Sequence, residues 1–429
     1  MNNVQTLKGF RDFLPKEALK RKYLIDTIST VFQRFGFDPL ETPALEHGEV
    51  LMGKYGEEAD KLLYMFQDRG GRSVGLRYDQ TVPLARVIAQ YQDIPKPFKR
   101  YQIQPVWRAE NTQKGRYREF LQCDADIIGD TYSATTDAEI LSLLWSIYNQ
   151  IGFKNTTIVV NSRVILRKLI NDSLESEASE AEFLSIVRSL DKLDKIGQDG
   201  VEQELVSKNI SQSICSTLFS NVKKWKLFTS FDNIKTLDQN LGYSLQMAVE
   251  NFGIPRSAIR FDPTLARGLD YYTGIIFEIV DESYPGSLAG GGRYDKLIGS
   301  FTGKDMTAVG FAMGFDRTLE VAEMNNLISA SATTTQVLVA YEDDQQIVFQ
   351  AALALTSTLR GKNINTEMYL NPTEPLDKQR KYAAKKNIPY VITLKRDLIE
   401  KQIVLLENFT NGEKTEMTLE EAIKLITNN

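Results

Sequence analysis

FKRYQIQPVWRAENTQKGRYREFLQCDADIIG, residues 98–129, reads as two long strands joined by a polar loop. The first run is apolar and aromatic up to Arg108 and Glu110. The loop carries Gln113, Lys114 and Gly115, and Arg116 to Phe120 lead into the return strand. Side chains alternate across a strand, so Phe120, Gln122, Asp124 and Asp126 share one face while Leu121, Cys123, Ala125 and Ile127 share the other. Gln122 and Asp126 therefore point the same way. Burying an unpaired carboxylate costs on the order of several kcal/mol, so this face makes a poor core. It predicts the floor of a pocket for a polar, cationic ligand.

Two further stretches supply walls. ARGLDYYTGIIFE (266–278) places Arg267 at a glycine turn ahead of an aromatic and β-branched run that reads as a strand. AGGGRYD (289–295) brings in the next strand through Gly290, Gly291 and Gly292, with Arg293 as a further charge. A glycine cluster alone marks a bulge or bend, but beside an arginine strand it predicts a backbone that a ligand can approach closely. In AVGFAMGFDRTLEV (308–321) a strand with Gly310 and Gly314 enters an amphipathic helix that opens on Asp316 and Arg317.

Composition narrows the class. A chain of 429 residues has room for two or three domains with sizeable cores. The start, MNNVQTLKGFRDF, has no apolar leader and no long apolar run follows, so a cytoplasmic protein is expected, with neither secretion nor a membrane span. Cys123, Cys215 and the sole histidine, His47, cannot furnish a disulfide framework or a thiolate zinc site. The net charge of −5 argues against indiscriminate binding to DNA or other nucleic acid, while leaving room for a local basic surface.

The spacing of Leu24, Ile28, Val31, Phe32 and Phe35 predicts a helix over 18–37, closed by Gly36. Helical patterns such as EAEFLSIVRSLDKLDKI fill about 163–255 and carry no comparable charged or glycine-rich site. The Ser/Thr-rich segment MNNLISASATTT (324–335) reads as a linker. Beyond it, strands (QVLVAY, NTEMYL, IPYVITL, QIVLLE) alternate with helices, which predicts a small α/β domain with a largely parallel sheet. In its helix PLDKQRKYAAKKN, Lys378, Lys381 and Lys385 fall on one face, with Arg380 and Lys386 beside it. Such a stripe is most often a solvated surface.

Taken together, these arginine-bearing elements resemble the motifs of class II aminoacyl-tRNA synthetases. RGLDYYTG, GGGRYD and LRYDQT (76–81) resemble the histidyl-tRNA synthetase family in particular, and the resemblance runs from LKGFRDFLP (7–15) almost to the C-terminus. It implies a mixed α/β chain: an α+β catalytic domain on an antiparallel sheet at 1–325, with a helical insertion at about 170–255, a linker at 326–335, and an α/β anticodon-binding domain at 336–429. The implied activity is ligation of histidine to its tRNA through a histidyl-adenylate, in a homodimer built on the first helix and the segment with Pro43.

By the same resemblance, Arg108 and Arg267 stabilise charge on the α-phosphate of ATP and belong to the histidine-binding set. Arg116 and Arg317 clamp the γ-phosphate end, Phe120 stacks on adenine with Arg317 on its other face, and Glu110 helps hold the base. Asp79, Thr81 and Gln122 hold the α-ammonium, Asp126 and Tyr272 read the imidazole, and Tyr271 packs alongside. Gln113 and Lys114 meet the acceptor stem, and Lys378, Lys381 and Lys385 the anticodon arm. Magnesium accompanies the ATP, and no other metal is implied.

The chain departs from the common bacterial pattern at Tyr78 and Asp79, in place of Pro and Glu, and at Asp316, in place of Glu. The alternative implied by the same fold is a catalytically silent paralogue that regulates ATP phosphoribosyltransferase. Such paralogues usually lack the C-terminal domain and the hairpin arginines, which this chain keeps.

Overall fold

The computed structural model describes residues 4–53, 60–112, 117–130, 132–267, 271–342 and 346–427. In chain order the strands are β1 (Asp38–Pro39), β2 (Leu45–His47), β3 (Met65–Gln67), β4 (Ser73–Leu76), β5 (Phe98–Trp107), β6 (Glu119–Ile128), β7 (Thr156–Ser162), β8 (Ile259–Phe261), β9 (Ile275–Asp281), β10 (Tyr284–Arg293) and β11 (Ala308–Gly314). Then come β12 (Val337–Tyr341), β13 (Thr366–Met368), β14 (Tyr390–Leu394), β15 (Val404–Asn408) and β16 (Lys414–Met417). The chain divides into two compact units, Met1–Asp12 with Leu24–Ile328 and Phe13–Tyr23 with Ser329–Asn429.

The first unit is built on an eight-stranded sheet in the order β1-β5-β6-β11-β10-β9-β7-β8. Its six central strands pair antiparallel and only the outer pairs, β1 with β5 and β7 with β8, are parallel. The predicted hairpin is the pair β5–β6, in unbroken register from Phe98↔Ile128 to Trp107↔Glu119. Helices cover the apolar face of this sheet. Leu24, Ile28, Val31 and Phe32 of the helix Pro15–Arg34 are buried there, each contributing roughly 1.5–3 kcal/mol. Gly36 closes that helix at φ +72°, and the Phe37 amide donates back to the Phe32 carbonyl at 3.0 Å, a turn that needs the left-handed conformation glycine allows. A small sheet, β2-β4-β3, flanks the helix Thr81–Gln90. The helices predicted between β7 and β8 are present from Arg163–Leu174 to Gln239–Glu250.

One expected strand begins late. The aromatic run at 271–278 was expected to be extended from its start, but β9 begins at Ile275, so Arg267, Tyr271 and Tyr272 stand on the loop before it. Arg267 has φ +35°, a positive value uncommon for a non-glycine residue.

The second unit carries the sheet β13-β12-β14-β15-β16. It is parallel across β13, β12 and β14 but antiparallel from β14 to β16, so the expected parallel character holds for only half of the pairings. The difference lies in β15, which runs antiparallel to β14, and in β16, a polar hairpin return (KTEM) that lacks the apolar alternation by which strands are recognised.

Candidate active site

β6, β10 and β11 meet Arg267, Tyr271, Tyr272 and the segment Tyr78–Thr81 around a cavity of about 620 Å³. Asp79, Thr81, Arg108, Glu110, Phe120, Gln122, Asp126, Arg267, Tyr271, Tyr272 and Arg317 all line it. Residues from five separate stretches of sequence are thus brought to one space. Gln113, Lys114 and Arg116 lie outside the described residues.

The floor is not the bare anionic surface that alternation along β6 implied. Asp126 lies directly across the strand pair from Arg100, which is fully buried, and the Arg100 Nη2 to Asp126 Oδ2 distance is 2.6 Å. The Tyr294 hydroxyl donates to the other oxygen of Asp126. Burial pushes the Asp126 carboxyl up from its ordinary value, while Arg100 and Tyr294 pull it down. Neither partner figured in the reading of the sequence. Arg100, Gln102 and Gln104 alternate along β5 as Gln122, Asp124 and Asp126 do along β6, and that repeat was the available signal.

The glycines of β10 make room for neighbouring groups of the protein. A Cβ on Gly290 would lie 1.4 Å from Arg267 Nη1, and one on Gly292 would lie 2.8 Å from the Tyr272 ring. The Cβ of a residue at 291 would meet the Gly310 carbonyl of β11 at 2.1 Å. The missing side chains make room for Arg267 and Tyr272 and for close strand packing, and Gly290 also lines the cavity. Gly310 does the same for Asp126, whose Oδ1 lies 2.0 Å from where a Cβ would stand.

Seated over Gly290, Arg267 donates from Nη1 to Glu278 Oε1 at 3.0 Å, and Glu278 is the cross-strand neighbour of Gly290. Its Nε is buried with no acceptor among the described residues. Arg108 donates to the Tyr78 carbonyl at 3.2 Å and lies over the rings of Tyr78 and Phe120, at 4.4 and 5.1 Å. Arg317 donates to the Ser287 carbonyl and lies 5.8 Å from the Tyr284 ring. Asp316 accepts from Arg11 at 3.0 Å and from the Leu121 amide at 3.2 Å, tying the N-terminal segment to β6.

Arg293, expected to add charge to the wall, is a structural residue. It is buried and held by Asp130 at 2.9 Å, Asp137 at 2.7 Å and Asp295 at 3.2 Å. Desolvation pushes the Asp137 carboxyl up to about 6, against the pull of Arg293. β10 alternates, so Arg293 faces away from Gly290's partner and into the sheet–helix layer.

Comparison with known proteins shows the family of the chain. A family model described as "Histidyl-tRNA synthetase" matches residues 9–318, and one described as "Anticodon binding domain" matches 336–429. The chain belongs to the histidyl-tRNA synthetase family. It is 38% identical to the histidine–tRNA ligase of Cytophaga hutchinsonii, covering 98% of each chain, and 38% identical to that of the archaeon Aeropyrum pernix, covering 98% of this chain and 97% of the other. The crystal structure of histidyl-tRNA synthetase from a Nostoc species superposes with a TM-score of 0.85 over the whole of both chains at 30% identity. Among the described residues no helix is long and apolar enough to cross a membrane, and no group of three His, Cys, Asp or Glu side chains is placed to hold a metal ion.

Proposed function

We infer that the protein ligates histidine to its tRNA in two steps at the one cavity. The histidine carboxylate attacks the α-phosphate of ATP in line and pyrophosphate leaves. The terminal ribose hydroxyl of the tRNA then attacks the adenylate carbonyl and AMP leaves. The observation that carries this reading is the convergence in one cavity of two arginines, Arg108 and Arg267, with a carboxylate floor, in a chain related to histidine–tRNA ligases over nearly its whole length. Retention of both arginines and of the C-terminal domain speaks against the silent regulatory paralogue.

Arg267 and Arg108 stabilise the charge that builds on the α-phosphate, and forked guanidinium donors suit phosphate oxygens. Phe120 offers its ring to adenine beside Glu110, and Arg317 takes the outer phosphates. Magnesium enters with the triphosphate as part of the substrate. Asp79, Thr81 and Gln122 receive the α-ammonium. Asp126 and Tyr272 satisfy the imidazole nitrogens, with Tyr271 packed beside them, so an apolar amino acid leaves buried polar groups unpaired. Pyrophosphate exchange measured with each amino acid in turn should proceed with histidine alone. Exchange with a different amino acid, or with none, would overturn the reading.

Gly290→Ala tests the Arg267 seat. The atom it displaces is the mobile end of a side chain, so folding should change little while exchange falls roughly tenfold or more, because a small misplacement of a charge-stabilising group is costly. A variant with normal exchange and normal thermal unfolding would show that the seat is irrelevant.

RNA contact by the second unit rests on Lys378, Lys381 and Lys385, all exposed on the helix Leu376–Lys386. Arg380 and Lys386 beside them are neutralised by Glu407 and Glu367, and Lys378 meets Glu374 at 3.4 Å. Lys381 and Lys385 have no carboxylate partner among the described residues, which leaves them for phosphate. Lys381→Glu with Lys385→Glu should weaken tRNA charging severalfold and lower its salt dependence, with pyrophosphate exchange unchanged. Equal loss of both steps would count against this division. The homodimer belongs to the same proposal. Leu45 and Phe66, each about half exposed on one face of the small sheet, give it apolar surface to cover, and light scattering showing a monomer would remove it.

A further inference from the structure

Gln122 is the one residue of the cavity floor whose side chain has two unlike ends, and only one of them is satisfied. Its Nε2 donates to Asp124 Oδ2 at 2.9 Å, while its Oε1 is buried with no donor among the described residues. Gln122 lines the cavity and Asp124 does not. Asp124 stands behind it on the same face of β6, 2% exposed, opposite Gln102 of β5. The backbone carbonyl of Gln122 accepts from Gln80 Nε2 at 3.1 Å, so the strand itself is pinned. What remains free is rotation of the amide, and the Asp124 acceptor fixes it.

We propose that Asp124 is a positioning residue that holds the Gln122 amide with its carbonyl oxygen turned into the cavity, as a preorganised acceptor for the α-ammonium of the amino acid. The proposal rests on the function inferred above and deepens it. An amide free to turn would present its NH₂ group to the ammonium half of the time, which repels rather than binds it. A carboxyl oxygen is an acceptor with or without its proton, so the device does not depend on the charge of Asp124. Burial pushes that carboxyl well above its ordinary range, with Arg100 pulling it down and Asp126 and Asp79 pushing it further up. The buried chain behind it ends on backbone. Arg100 donates to Gln102 at 3.1 Å, Gln102 to Gln104 at 2.6 Å and to Thr42 at 2.9 Å, and Arg77 to the Pro105 carbonyl at 2.8 Å. Asp124 itself is held through its strand, paired with Gln102 of β5 and Ala312 of β11, and its Oδ1 has no hydrogen-bond partner among the described residues, so its side chain is engaged through Oδ2 to Gln122.

Two histidine analogues separate this role from simple charge balance. Histidinol keeps the ring and ammonium without the carboxylate. Imidazolepropionate keeps the ring and carboxylate without the ammonium. With the full-length protein and calorimetry, Asp124→Ala should weaken histidinol binding roughly tenfold or more and leave imidazolepropionate within about twofold. Asp124→Asn, whose amide oxygen can still accept from Gln122, should restore most of the histidinol affinity. Asp124→Leu, which fills the space, carries the expectation of the alanine variant if that variant is not recovered folded. Equal weakening of both analogues, or an asparagine variant as poor as alanine, would overturn the proposal and assign Asp124 to charge balance with Arg100. Failure of the unsubstituted protein to bind histidinol at all would instead sink the function on which the proposal rests.

Discussion

Arg267→Ala is expected to lower histidine-dependent pyrophosphate exchange by roughly 10²-fold or more, the scale of removing one preorganised donor from a developing negative charge. The loss should fall on turnover. In the proposed site Asp126 and Tyr272 hold the ring from other positions, and an interaction made chiefly in the transition state shows in kcat rather than in ground-state binding. Arg267→Lys should recover only part of the rate, because a point charge lacks the planar fork. Some stability should be lost as well, since Glu278, its side chain only 26% exposed, gives up the cation 3.0 Å away. Near-normal exchange by a folded Arg267→Ala protein, saturated with histidine and ATP, would sink the assignment of this residue.

Arg293→Met should cost about 3–5 kcal/mol of stability, the usual result of removing one partner from a buried ion pair, with little direct effect on the chemistry of molecules that remain folded. Asp130 and Asp137, both buried, would lose their cation. The sign of the pH dependence follows from Asp137. Its folded carboxyl already sits at about 6, above its ordinary 3.8, so folding takes up a proton between those values and the folded state gains as pH falls through that window. Without Arg293 the carboxyl rises further, and the deficit of the variant should shrink as pH drops below neutrality. Urea unfolding of the catalytic unit at several pH values measures both effects. A loss under 1 kcal/mol, or one independent of pH, would mean that water or a rearranged side chain replaces the guanidinium.

Much of the architecture was legible along the chain because it depends on local period. The β5–β6 hairpin, the helix that ends at Gly36, the helices between β7 and β8, and the strand–helix alternation after residue 335 each follow from side-chain spacing and turn residues within one segment. Eleven of the residues that line the cavity were also marked, through motifs whose arginines and carboxylates stand where an isolated core would not hold them. β16 was not legible, because a short polar edge strand has no period to detect.

What the sequence could not decide is which charges answer which. Arg293 sits beside Arg267's glycine wall in sequence, yet its partners Asp130 and Asp137 are 163 and 156 residues away. Arg100 balances Asp126 only because the hairpin register sets them opposite each other. The same holds for space. Three adjacent glycines say that side chains are excluded, but what fills the room, the Arg267 guanidinium, the backbone of β11 or the Tyr272 ring, is fixed by strand order and register. Local pattern therefore determined the elements and the chemistry they carry. Only the assembled sheet settled which cations line the cavity and which are buried as counter-ions, because desolvation and pairing act through space and not along the chain.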